Sequence, residues 1–231
     1  MTVISSISKI NVKKSILLEI FNYFENLLVF NKDLLYSDEI YDEFYNKLKN
    51  NSEQKDSIIN GLQKADFNII DFEINKKSQQ YKDEPKFEII FKHKLQEADN
   101  VYEFYDYEES QGTELYFNLL SFFVLLKDEN FIFGIDELDS SLHPELVNHF
   151  INTYLYQTKE KPTQFLFNTH NINLLDEDFI RKDIVWFTEK RKDGSTELFS
   201  LNDFDIRKTL SFSKAYKTGK LGAIPNLKLA Y

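Results

Sequence analysis

Cysteine is absent from the 231 residues, which excludes a disulfide framework and any thiolate metal site. No apolar run is long enough to cross a bilayer, and none near Met1 has the form of a signal peptide, so a cytoplasmic protein with no membrane partner is expected. Positive charge is in deficit. The 28 basic residues face 38 acidic ones, and the net charge of −10 works against indiscriminate binding to nucleic acid or an anionic membrane. No Gly-Lys-Ser or Gly-Lys-Thr occurs, so the phosphate-cradling loop Gly-x-x-x-x-Gly-Lys-Ser/Thr is not written in this sequence. The one Gly-Lys pair, Gly219-Lys220, runs on into Leu221.

The remaining composition is that of a globular domain, 42% hydrophobic and 29% charged, which is enough for one sizeable core with an appended subregion. Over residues 12–30, Ile16, Leu17, Ile20, Phe21, Phe24 and Leu27 recur at helical spacing and predict a helix. Ile40, Tyr41, Phe44, Tyr45 and Leu48 form a second helical stripe, and Asn51 with Gln54 has the form of a helix start. Period-two patterns at Ile70, Phe72 and Ile74, then at Phe87, Ile89, Phe91, His93 and Leu95, predict a β-hairpin. His93 falls on the apolar phase of its strand, as a half-buried core imidazole would.

The pattern changes near Val101, which sets the expected boundary between a helical and hairpin subregion, residues 1–100, and a second region, residues 101–231. Helix is expected over 113–127 and 144–157, and strand over 131–135, 164–168 and 184–187, an alternation that predicts parallel strands joined by crossover helices.

The strand Phe131-Ile132-Phe133-Gly134-Ile135 ends in Asp136-Glu137. In open α/β sheets the carboxyl ends of strands form the ligand edge, so both acids arrive where chemistry is done. One carboxylate there can hold Mg²⁺ while its neighbour accepts a proton from an attacking water. Leu138-Asp139-Ser140-Ser141-Leu142-His143-Pro144 follows and leads into a helix. A second strand, Phe165-Leu166-Phe167, ends in Asn168-Thr169-His170, with His170 placed 33 residues after Glu137, room for one crossover helix and a parallel return. Upstream, Ser110-Gln111-Gly112-Thr113 precedes an apolar helix, a disposition suited either to phosphate oxygens or to plain capping.

Taken together, these segments resemble the ABC-type ATPase heads, including SMC-like and DNA-repair ATPases. Residues 136–144 are similar to Walker B and the D-loop, Ser110 and Gly112 to the signature motif, and His170 to the switch histidine. Leu142-His143-Pro144, with His143 where many relatives carry an aspartate, and residues 216–225 near the C-terminus resemble the AAA-type ATP-binding proteins of bacterial phage-defence and abortive-infection systems. Thr113 and Glu114 depart from the commonest signature.

The resemblance implies a P-loop NTPase fold present in part, with a largely parallel sheet, and ATP with Mg²⁺ as ligands. It implies Asp136 as the metal carboxylate, Glu137 as base, His170 as γ-phosphate sensor, and Ser110, Gly112, Ser141 and His143 as nucleotide-side residues. It also implies a homodimer closed around nucleotide, a Walker A lobe supplied upstream or by a separate chain, an effector partner, and no ATP turnover by these residues alone. Without the first lobe, an open sheet edge is expected.

Two other readings stay open. One is a degenerate head that serves as an interaction module. The other is a metal-dependent nuclease built on Asp203-Phe204-Asp205. Residues 206–231 contain no acid and six basic residues, Arg207, Lys208, Lys214, Lys217, Lys220 and Lys228. This strip can serve as a nucleic-acid contact or as a solvated tail packed on an acidic body.

Overall fold

The computed structural model describes residues 27–30, 37–49, 51–65, 68–77, 86–94, 100–126, 132–158, 163–205 and 211–224. The chain divides into two compact units, Met1–Thr169 and His170–Tyr231. The division falls after Thr169, and the sequence pattern changes earlier, near Val101.

The first unit contains two sheets. Strand β1, Leu27–Phe30, pairs in parallel with β5, Ile132–Ile135, which pairs in parallel with β6, Gln164–Phe167. The helix expected to run to residue 30 is corrected at this end: Leu27–Phe30 is strand, and residues 12–26 lie outside the described residues. Four consecutive apolar residues suit a strand covered on both faces, and such a run shows no alternation by which to recognise it.

The second sheet is antiparallel, in the order β2, Ile69–Lys76, then β3, Phe87–Lys94, then β4, Val101–Tyr105. The expected hairpin is β2 and β3. The third strand begins at the expected boundary and ties that position into the same sheet.

Helix α1, Asp38–Lys49, and α2, Ser52–Lys64, cover the antiparallel sheet. Asn51 starts α2 as its sequence predicts, its side chain accepting the Gln54 N–H at 3.2 Å. Helix α3, Gln111–Leu126, is buried continuously from Leu115 to Val124, because opposite faces of it meet different layers. Phe117 receives Phe44, Phe72 and Phe91 edge-on, with ring centroids 4.9–5.9 Å away. Phe122 lies 4.8 Å from Phe133 of β5. Helix α4, Pro144–Thr158, presents Phe150 and Tyr154 to Phe165 of β6. The core of this unit is therefore largely aromatic, and α3 carries it from one sheet to the other.

β5 is buried along its whole length, whereas β6 alternates between exposed and half-buried residues, with Leu166 60% exposed. Among the described residues no strand pairs with the outer side of β6.

The second unit carries no further parallel strand among its described residues. The strand expected over 184–187 is instead β7, Trp186–Lys190, paired antiparallel with β8, Thr196–Ser200. A two-stranded hairpin has one face to bury, and here Phe187, Leu201, Ala215 and Leu221 form that small core with helix α5, Phe212–Lys217.

Candidate functional site

The ladder between β5 and β6 continues past both strand ends. Asn168 N–H donates to the Ile135 carbonyl at 3.4 Å, and Leu138 N–H donates to the Asn168 carbonyl at 3.1 Å. The side chain of Asn168 fills the gap between them. Its Oδ1 accepts the Glu137 N–H at 2.6 Å, and its Nδ2 donates to Asp136 Oδ1. One amide thus orients the Asp136 carboxylate and fixes the Glu137 backbone. The Glu137 carboxylate is exposed and makes no hydrogen bond or ion pair among the described residues. Glu137 holds φ at 51°, a left-handed conformation that costs a residue with a side chain about 1 kcal/mol. Leu138 and Leu142, both buried, pin the following loop to the core.

That loop meets the start of α3. Ser141, at φ 68°, directs its carbonyl at Gly112, where an added Cβ would stand 2.8 Å from Ser141 O. Only glycine permits this approach. The Ser141 hydroxyl lies 3.5 Å from Gln111 Oε1. Ser110 caps α3, its Oγ accepting the Thr113 N–H at 3.0 Å and lying 2.8 Å from the Thr113 hydroxyl. The capping alternative is therefore realised at Ser110, which also stands beside the acidic loop through Gly112.

His143 starts α4. Its carbonyl accepts from Leu146 and Val147, its Nδ1 lies 3.3 Å from Glu145 N, and Pro144 occupies the first helical position, where a missing N–H is harmless. His93 is also placed: its Nε2 lies 2.5 Å from Glu109 Oε1, and its ring meets Phe104 edge-on. It thereby ties β3 to the residue before Ser110.

Five of the seven residues read from sequence thus fall in two adjoining segments of the first unit: Asp136 and Glu137 at the end of β5, and Ser110, Gly112 and Ser141 where α3 begins. His143 caps the next helix of the same unit. His170 opens the second unit and is exposed. Asn168 is not among the residues read from sequence, although its position at the end of a strand parallel to β5 is a signal for it.

Elsewhere in the first unit, burial pushes the Glu114 carboxyl above its ordinary range, with Asp106 adding to the effect. Burial likewise raises the Tyr116 phenol, whose oxygen lies 2.5 Å from His149 Nδ1. Burial, together with Lys64, lowers His149.

In the second unit Gly219-Lys220 serves as a helix stop. Gly219 sits at φ 76°, its N–H donates to Tyr216 O at 2.8 Å, and Lys220 N–H donates to Ala215 O at 3.0 Å while Leu221 is buried. Asp203, offered to a nuclease reading, accepts the Ser200 N–H at 2.9 Å as a capping group. Among the described residues no three His, Asp or Glu side chains gather to hold a metal ion.

Residues 11–176, well over half of the chain, match the protein family described as "AAA domain, putative AbiEii toxin, Type IV TA system". No curated protein sequence matches significantly. Among solved structures, the chain is similar to one reported under ATP-driven dimerization and DNA stimulated activation of SMC ATPases, with 14% identity and a TM-score of 0.46, covering 80% of this chain and 98% of that one. It is also similar to an Smc head domain with an extended coiled coil bound to the C-terminal domain of ScpA, from Pyrococcus furiosus, with 17% identity and a TM-score of 0.45. That alignment covers 74% of this chain and 37% of the other. The extent of the family match is decisive: the chain belongs to this AAA-domain family, which is of ATPase type.

Proposed function

We propose that the chain forms the hydrolytic side of an ATP-binding head of SMC-like type, working as an ATP-clamped dimer in bacterial anti-phage defence. The observation that carries this reading is the Asn168 amide, which joins the ends of β5 and β6 and gives the two neighbouring acids different surroundings. Asp136, oriented by that amide, suits a metal ligand. Glu137, with a carboxylate left open, suits a proton acceptor from water. Magnesium typically binds through one or two carboxylates, with phosphate and water completing its shell, so a single oriented aspartate fits it and no all-protein cage is required. When bound, the ion supplies charge neutralisation at the phosphates.

In this reading His170 contacts the γ-phosphate, while Ser110 and Gly112 act on the nucleotide of the second protomer. Ser141 and His143 line the loop between them. The family's description names a putative AbiEii toxin of a type IV toxin-antitoxin system, which agrees with a defence role.

Turnover needs a phosphate cradle that these 231 residues do not spell out. A second reading, the degenerate head, draws on Lys14-Ser15 near the opening of the family match, with Lys13 beside them and Ser8, just before the match, where the phosphate loop requires glycines. The test pairs the 231-residue chain with a form extended upstream or supplied with a partner lobe. The isolated chain is expected to show no steady ATP turnover. In the supplemented form, Glu137→Gln should reduce turnover by about 10²–10⁴-fold and lengthen the life of the ATP-bound dimer. Steady hydrolysis by the isolated chain, lost in that variant, would refute the need for a second lobe. Absence of nucleotide binding in every form would favour the degenerate head.

A further inference from the structure

The two units differ in charge. Met1–Thr169 holds 17 basic and 29 acidic residues, and His170–Tyr231 holds 11 basic and nine acidic, so the −10 of the whole chain hides a second unit that is net positive. The basic residues are most concentrated at the tip of the β7–β8 hairpin, Lys190-Arg191-Lys192. The acids around them are already engaged. Glu189 Oε2 accepts the Ala223 N–H at 2.9 Å, Asp193 Oδ1 accepts from the Ser195 N–H and hydroxyl at 2.9 and 2.7 Å, and Glu197 pairs with Arg191 at 2.6 Å. Lys190 and Lys192 make no ion pair among the described residues. A groove of about 580 Å³ runs beside them, lined by residues 188–192 with Ala223 and Ile224.

The outer face of the same hairpin exposes two large apolar side chains among polar ones. Side chains alternate across a strand, so Trp186, Thr188 and Lys190 share one face while Phe187 points into the small core. Trp186 is 58% exposed, and Leu198, directly opposite Thr188, is 62% exposed. Trp186 and Lys190 are four residues apart, about 13 Å along an extended strand. A flat exposed ring in line with uncompensated cations is the combination that grips unstacked bases and their phosphates.

We propose that the β7–β8 hairpin is a binding site for single-stranded nucleic acid, with Trp186 stacking on a base and Lys190 and Lys192 contacting the backbone. The site lies wholly within the second unit and does not rest on the ATPase reading.

Trp186 is the chain's one tryptophan, so fluorescence excited beyond the tyrosine absorption band reports on this face alone. Titration of the full chain with short oligothymidylate, without nucleotide, should give saturable quenching that weakens with added salt. Lys190→Glu combined with Lys192→Glu should raise Kd at least about tenfold and flatten the log–log salt dependence by about 1.4, the value for two phosphate contacts on a single strand. Both residues are exposed, and an unchanged far-UV spectrum confirms that the variant folds. Trp186→Ala, followed by anisotropy of a labelled oligonucleotide, should bind about tenfold more weakly. Absence of quenching overturns the proposal, as does quenching that the double variant leaves intact. Quenching by anionic phosphatidylserine vesicles but not by oligonucleotide would assign the face to a lipid surface and overturn it. A fluorescence shift that follows protein concentration alone would assign the face to a second copy, with the same consequence.

Discussion

At the end of β5 the chain turns through left-handed backbone with side chains in place, Glu137 at φ 51° and Ser141 at φ 68°. After α5 the same region is entered mostly by glycine, Gly219 at 76° and Gly222 at 67°. The second turn has only to stop a helix and return the chain to the hairpin, and glycine does this without strain. Its one exception, Ala223 at φ 54°, is held on both sides, its N–H by Glu189 and its carbonyl by the Tyr216 hydroxyl at 2.8 Å. The first turn keeps a carboxylate and a hydroxyl where glycine would be more stable. That difference fits the proposed use of the Glu137 and Ser141 side chains.

The comparison can be tested from both directions. The largest effect is expected away from either turn: Phe117→Ala removes the ring on which three others converge and should cost the first unit about 3–5 kcal/mol, measured by chemical denaturation. Gly112→Ala sets a Cβ against the Ser141 carbonyl and should cost about 1–3 kcal/mol, and a neutral result would mean that the loop yields easily. Ser141→Gly should stabilise the fold by about 1 kcal/mol by relieving backbone strain, and destabilisation would show that its side chain, not its backbone, secures the loop.

The smallest effect concerns pH. Burial opposes ionisation of Asp176, but the Ser213 and Ser211 hydroxyls and the backbone N–H groups of Ser213 and Phe212 outweigh it and hold the carboxyl below the ordinary aspartate range. The ionised form is therefore favoured by folding. Its contribution is present above the unfolded value near 3.8 and is lost as pH falls through the lower folded value. The protection of α5 amides, measured against their intrinsic exchange rates, should fall on that acid side, and Asp176→Asn should remove the dependence.

The acidic edge is legible because the apolar run before Asp136-Glu137, and the short strand before Asn168-Thr169-His170, each state a strand's end in sequence. Gly112 was legible as part of a motif, but the carbonyl it accommodates was not, since Ser141 lies 29 residues further on. Strand β1 was misread because Leu27-Leu28-Val29-Phe30 has no period. The strand at 184–187 is expected to be parallel because it follows alternating helices and strands, whereas its partner is the antiparallel β8, reached through the turn from Arg191 to Ser195.

Local order in the sequence thus determined which residues begin and end elements: Asn51 and Ser110 at helix starts, and Asp136 and Asn168 past strand ends. Those preferences act over one to four residues and need no distant partner. Only the tertiary structure decided that Asn168 bridges Asp136 and Glu137, that Ser141 closes over Gly112, and that Trp186 faces outward while Phe187 faces inward. These depend on strand register and on the approach of backbones far apart in the chain, which no single stretch of sequence specifies.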